Sequence, residues 1–221
     1  MLFFIYSVIG YIVEVISTSL RNKKFCPSRG FLIGPYLPVF GFGCLFITIF
    51  LSKYSNDYVI IFTTGMVLCC IVEYFTSYLL ERIFGLRWWD YSDRKFNING
   101  RINLTTGIKF GVGSIVLLKI INPYIYSISG NISENVYITI SMFLILIMFI
   151  DTVISSFIIS KLKIDTIKYF KKDATDEIKS KVGESIKKYN LFYSRVFHAF
   201  PNLPLYNKKF ERIKKLIRIK K

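Results

Sequence analysis

Five apolar stretches, about residues 2–20, 31–51, 58–81, 102–121 and 136–160, alternate with short polar connections. At about 1.5 Å per helical residue, each is long enough to cross a hydrocarbon core of about 30 Å. After residue 160 the pattern changes abruptly to one dominated by lysine and arginine. The expected fold class is therefore all-α. It is a polytopic membrane protein with a bundle of about five transmembrane helices over residues 1–160, followed by a basic cytoplasmic tail with amphipathic helices over 161–221. The first stretch has no basic segment ahead of it and no small-residue cleavage site before Arg21, so it reads as a retained helix.

The polar residues inside these stretches carry the next step. On the first, Ser7, Gly10, Tyr11, Glu14, Ser17 and Thr18 recur at three- and four-residue spacing, a stripe expected to face protein. The second opens with four glycines and two prolines between residues 30 and 43. Proline removes a backbone donor and kinks a helix, and the carbonyls it frees need partners at membrane depth. Arg29, Gly30, Gly34, Pro35, Pro38 and Gly41 are therefore expected to form a broken or re-entrant entry. On the third, Cys69, Glu73, Thr76, Ser77 and Leu80 share one side, with Glu81 at its end. The fourth holds Lys109 among Thr105, Thr106, Gly107, Gly111 and Gly113, and the fifth holds Asp151 with Thr152, Ser155 and Ser156.

Depth connects four of these groups. Glu14 lies seven residues from Arg21, Glu73 nine from Arg82, Lys109 eight from Arg101 and Asp151 ten from Lys161. All four then sit roughly 10 to 15 Å from the same membrane face. Ionisable groups at that depth rarely face lipid, so Glu14, Glu73, Ser77, Lys109 and Asp151 are candidates for one intramembrane polar site. Two readings stay open: a substrate or ion site, or a set of charges in which Lys109 pairs with an acid and glues helices together.

Charge distribution orients the bundle. Residues 21–29 hold four basic residues, 82–101 hold five and 161–221 hold eighteen, whereas the other connections hold only Lys53. Basic loops favour the cytoplasm, so the expectation is a cell-membrane, multi-pass chain with its N-terminus outside and its C-terminus inside. The tail supplies +12 of the formal +16, so the excess of positive charge points to anionic inner-leaflet lipid rather than to nucleic acid. Within it Ile167, Phe170, Ala174, Ile178, Val182 and Ile186 recur at helical spacing after Asp165, a candidate N-cap. Beyond the break at Pro201 to Pro204, Phe210, Ile213, Leu216 and Ile217 suggest a second surface helix. Composition agrees with the membrane reading, at 52% hydrophobic and 17% aromatic residues and a mean hydropathy of +0.43. Four cysteines show neither a C-x-x-C pair nor ligand spacing with His198, so neither a disulfide nor a metal site is expected, and no cofactor.

The loop after the third stretch carries a dense motif. Glu73-Tyr74-Phe75-Thr76-Ser77, Leu80-Glu81, Arg87-Trp88-Trp89-Asp90-Tyr91-Ser92 and Phe96-Asn97-Ile98-Asn99-Gly100-Arg101 follow in that order. Upstream stand Arg29-Gly30-Phe31-Leu32-Ile33-Gly34-Pro35 and Pro38-Val39-Phe40-Gly41. Together these blocks resemble the ABC-transporter type IV (CmpB-like) membrane protein family over roughly residues 1–123, departing at Phe110-Gly111, where relatives usually place a tryptophan before the glycine. The resemblance implies a permease-like membrane protein and supplies no catalytic residue or substrate.

Read from the residues alone, Trp88, Trp89 and Tyr91 are interfacial anchors at headgroup level, with Arg87, Asp90, Asp93 and Arg94 pairing internally or holding a headgroup. Glu81, Asn97 and Arg101 complete the motif loop. No G-x-x-x-x-G-K-[ST], H-E-x-x-H or G-x-S-x-G sequence occurs, so the chain is not expected to be an enzyme and any ATP hydrolysis would belong to a separate ABC ATPase. Three functions fit. The first is a transport subunit that associates with an ATPase, another membrane subunit or further copies of itself. The others are a scaffold or sensor reading anionic lipid or a partner, and an intramembrane enzyme acting on lipid.

Overall fold

A computed structural model describes residues 1–23, 25, 30–85, 87–130 and 132–171, without the side chains of residues 22 and 161–171. Helix α1 spans Leu2–Asn22, α2 Pro38–Leu51, α3 Tyr58–Phe84, α4 Leu104–Val116, α5 Asn122–Ser129 and α6 Glu134–Lys171. Two short strands, β1 (Asn97–Ile98) and β2 (Ile102–Asn103), pair antiparallel between α3 and α4. The all-α class holds, with four helical stretches long and apolar enough to cross a membrane and one shorter apolar helix, Pro38–Tyr54.

Local signals set the ends. Asp57 caps α3 by accepting from the Val59 and Ile60 N–H groups at 3.0 Å each. Gly85, at φ 68°, closes it with its N–H on the Glu81 carbonyl. Asn103 caps α4 by accepting from Thr106 N–H at 3.1 Å. Pro38 starts α2, where a missing N–H is harmless.

The expected break in the second stretch is larger than a kink, since residues 31–37 are irregular and only the following 14 residues are helical. At about 1.5 Å per residue α2 spans roughly 21 Å, too short to cross alone. It begins near Ser7, whose carbonyl accepts from Leu37 N–H at 2.9 Å. From there it runs antiparallel to the first half of α1, with Phe40 against Gly10 and Gly41 against Ser7 and Phe3.

The fourth stretch differs in the opposite sense. Residues 122–129, expected in a loop, continue the helix, so one span runs Leu104–Ser129 through a π-helical turn at Leu117–Ile121. The turn precedes Asn122-Pro123 and places the proline in the first turn of α5, where its missing donor costs little. Likewise α6 passes through Asp165 without interruption, so Asp165 is interior rather than an N-cap. The amphipathic pattern beyond Lys171 lies outside the described residues.

The helices pack in chain order, α1 on α2, α2 on α3 and α3 on α4. Small residues keep the later contacts close as well: Gly43 lies against Cys69, Gly65 against Ser114, and Gly107 against Cys70 and Met66. Tyr6, Ile47, Leu51, Ile61, Leu117, Leu118 and Ile125 form the core. Inside it the Tyr6 phenol donates to Asn122 Oδ1 at 2.8 Å, and Asn122 Nδ2 donates to Thr48 Oγ1 at 3.0 Å. This polar node ties α1, α2 and α5 together in a low-dielectric interior, where such bonds are strong.

Candidate functional site

The motif loop is a folded cap on the end of α3, here called the hairpin end. Residues 98–101 make a tight turn closed by Arg101 N–H on the Ile98 carbonyl at 3.0 Å. Its central residues, Asn99 (φ 52°) and Gly100 (φ 65°), both take the positive φ that a mirror-image hairpin turn requires. Asn97 locks the preceding residues, its amide donating to the Arg94 and Ser92 carbonyls at 2.7 and 3.3 Å and its oxygen accepting from Gly100 N–H at 2.9 Å.

Two buried arginines attach this cap to α3 through one carboxylate. Glu81 Oε2 lies 2.7 Å from Arg101 Nη2 and 3.3 Å from Arg87 Nε. Arg87, 7% exposed, also reaches Asp90 Oδ1 and the Asn99 carbonyl. Arg101, 8% exposed, donates to Ser77 Oγ at 3.1 Å and lies over the rings of Tyr74 and Tyr78. Partial burial alone would raise the Asp90 carboxyl, but the N–H and hydroxyl of Ser92 and the Arg87 charge outweigh it and hold the group below the usual range.

The aromatic residues of the motif are partly buried and find partners within the protein. Trp88 packs on Phe31 and Phe84, Trp89 Nε1 donates to the Arg101 carbonyl at 3.0 Å, and Tyr91 reaches down into the bundle. The tight turn brings Arg101 back beside Trp89, which gives that indole a carbonyl partner. Burial and the neighbouring Glu73 charge push the Tyr91 phenol up, so it serves as a donor.

That donor meets Glu73, 3.1 Å from Tyr91 Oη to Glu73 Oε1. Glu73 is 8% exposed, and its Oε2 has no hydrogen-bond partner among the described residues. Glu14 of α1 lies within electrostatic reach of it, and Glu14 itself accepts from Thr18 at 3.1 Å. A buried carboxylate with one free oxygen and a second acid nearby is chemically a place for a proton or a cationic group.

The five residues expected at one level are thus only partly gathered. Glu14 and Glu73 share a neighbourhood. Ser77 serves Arg101 rather than Glu73. Lys109 is exposed on α4 and pairs with no acid among the described residues, because its face of the helix points away from α3. Asp151 is engaged elsewhere, its carboxylate accepting from Ile33 N–H at 3.0 Å, Gly34 N–H at 2.8 Å, Tyr36 Oη at 2.5 Å and Ser155 Oγ at 2.9 Å. It satisfies the irregular backbone around Gly30, Gly34 and Pro35, while Arg29 lies outside the described residues.

We expect Asp151→Ala to orphan those two amides and two hydroxyls at about 1–3 kcal/mol for each buried group, lowering the thermal transition of the detergent-solubilised protein well below that of Asp151→Asn.

Sequence reasoning missed Tyr91 as the partner of Glu73 and Tyr36 as that of Asp151, separated along the chain by 18 and 115 residues respectively. The signal that was available is Asn99-Gly100, a strong hairpin marker that foretells the return of Arg101.

Fold and site together define a polytopic helical membrane protein with a capped intramembrane carboxylate. The chain belongs to the family described as "Putative ABC-transporter type IV", whose profile matches residues 1–156. The match extends 33 residues past the region of resemblance seen in the sequence, from 123 to 156, and so takes in Asp151. No curated protein and no solved structure matched the chain.

Proposed function

We propose that this chain is the membrane subunit of a transport assembly, in which Glu73, with Glu14 nearby and Tyr91 as its donor, exchanges a proton or receives a cationic group. The observation that carries the reading is the Oε2 of Glu73, without a hydrogen-bond partner among the described residues, at 8% exposure within a membrane span. Leaving a buried carboxylate half satisfied is costly, and such groups concentrate where ions or protons move. The family description is consistent with this role.

The five helical rods among the described residues, one of them short, enclose little on their own. The assembly is therefore completed by a separate P-loop ATPase, another membrane subunit or further copies of this chain, and the chain itself is not an enzyme. The basic tail would rest on anionic inner-leaflet lipid.

Purification from native membranes in mild detergent tests the assembly: a P-loop ATPase or another polytopic subunit is expected to accompany the chain. Recovery of the chain by itself, together with turnover of a lipid by the purified protein, would transfer the site to an enzyme. The N-terminus-out orientation has its own test. With native cysteines removed, a cysteine at position 95 should stay unlabelled by impermeant reagent in intact cells and label after permeabilisation. Labelling in intact cells would invert the topology.

A further inference from the structure

Beside the partly buried Trp88, Trp89 and Tyr91, the hairpin has an exposed outer surface. Phe96 is 77% exposed and Ile98 57% exposed, and Arg94 and Lys95 beside them are exposed as well. Phe96 stands at φ 54°, a left-handed backbone conformation that is an outlier for a bulky residue and natural for glycine. The residue in that conformation carries a large, exposed apolar ring. Strain of this kind persists where the surrounding structure over-determines it, and it concentrates at ligand clamps and other functional sites.

The surface continues onto a membrane span. The Phe96 carbonyl accepts from Leu104 N–H at 3.2 Å, which sets the backbone of residue 96 beside the first turn of α4. From there Leu104, Thr105, Ile108, Lys109 and Val112 are all exposed on the same helix. Lys109 is five residues from Leu104, roughly 7.5 Å along the axis, and side chains on a helix tilt toward its N-terminus, here back toward the hairpin. Its ammonium thus snorkels toward the level of Arg94 and Lys95. The same loop carries two exposed acids, of which Asp90 is paired with Arg87 and Asp93 precedes Arg94 in the chain.

We propose that the hairpin and the exposed face of α4 form a binding site for an anionic phospholipid of the adjoining leaflet. The phosphate lies between Lys109 and the Arg94-Lys95 pair. Phe96 and Ile98 enter the interface beneath it, and an acyl chain runs along Leu104, Ile108 and Val112. Lipid is favoured over a soluble partner because the cations are continuous with the lipid-facing side of a spanning helix, at the depth where phosphates lie. This site does not depend on the transport reading.

The test uses the full chain in nanodiscs of phosphatidylcholine with or without phosphatidylglycerol, carrying photoreactive benzoylphenylalanine at position 96 or, separately, at 98. We expect adducts on phosphatidylglycerol in preference to phosphatidylcholine. Lys109→Met or Arg94→Ala should each reduce the phosphatidylglycerol adduct about fivefold, the usual contribution of one basic residue near an anionic surface. Phe96→Gly, with the probe at 98, should also reduce it while leaving thermal stability equal or higher, since glycine relaxes the left-handed backbone.

Adducts indifferent to headgroup and to the cations would overturn the proposal, as would their absence. The same probes in native membranes cover the remaining occupant: cross-linking to a protein in place of lipid would make the surface a protein interface and sink the lipid site. A Phe96→Gly protein that is less stable with unchanged labelling would show the ring to be merely structural. None of these outcomes bears on Glu73.

Discussion

Glu81→Ala should leave almost no folded protein in the membrane. Glu81 is the counter-charge that Arg87 and Arg101 share, at 3.3 and 2.7 Å, and its removal takes that common carboxylate from two buried guanidinium groups. Breaking a buried pair in this way costs about 3–5 kcal/mol, a large part of the roughly 5–15 kcal/mol that holds a typical protein together. The readouts are abundance in isolated membranes and the thermal transition in detergent. The triple variant Glu81→Leu, Arg87→Met, Arg101→Met removes the three buried charges, leaves only the solvent-exposed Asp90 of the cluster, and should recover much of the accumulation, because apolar replacement of a buried ion cluster is often close to neutral. Normal accumulation of the single variant would mean that the cap is held to α3 by its hairpin and aromatic contacts alone.

Glu73→Gln should behave in the opposite manner, accumulating normally while failing to complement a strain lacking the protein. Glutamine keeps the acceptor for Tyr91 and the volume, but it neither binds a proton nor offers a negative charge to a cation. Glu73→Leu sharpens the contrast. If the free oxygen were only a structural liability, removing a half-satisfied buried carboxylate would be neutral or stabilising and the cells would be normal. We expect leucine at this position to accumulate at least as well as glutamate and to be functionally dead. Full complementation by either variant would remove Glu73 from the mechanism. Loss of both variants from the membrane would make it a packing residue.

Much of this protein could be read from the chain because the bilayer imposes long, uniform runs. A span needs about 20 apolar residues whatever its neighbours, so the existence of α1, α3, α4 and α6, and the all-α class, follow from hydrophobicity alone. The abnormality of the second stretch was equally legible, since two prolines and four glycines within residues 30–43 cannot form an ordinary span. That Glu73 and Asp151 would face protein followed from the cost of putting charge against lipid.

Tertiary structure decided which polar groups meet. Depth along a helix is a sequence property, but azimuth matters as much, and a helix of ambiguous polarity does not declare which side it presents. Lys109, expected at the depth of Glu14 and Glu73, lies on an exposed face of α4, while Asp151 is drawn off by backbone amides 117 and 118 residues distant. The motif loop shows the same limit. Its tryptophans and tyrosine have the composition of an interfacial belt, but only the turn at Asn99-Gly100, which brings Arg101 back onto Glu81, decides that Trp89 meets the Arg101 carbonyl and Tyr91 meets Glu73. Phe96 is left to meet the membrane. Hydrophobicity selects what is buried, but whether it is buried in lipid or in protein depends on the fold that surrounds it.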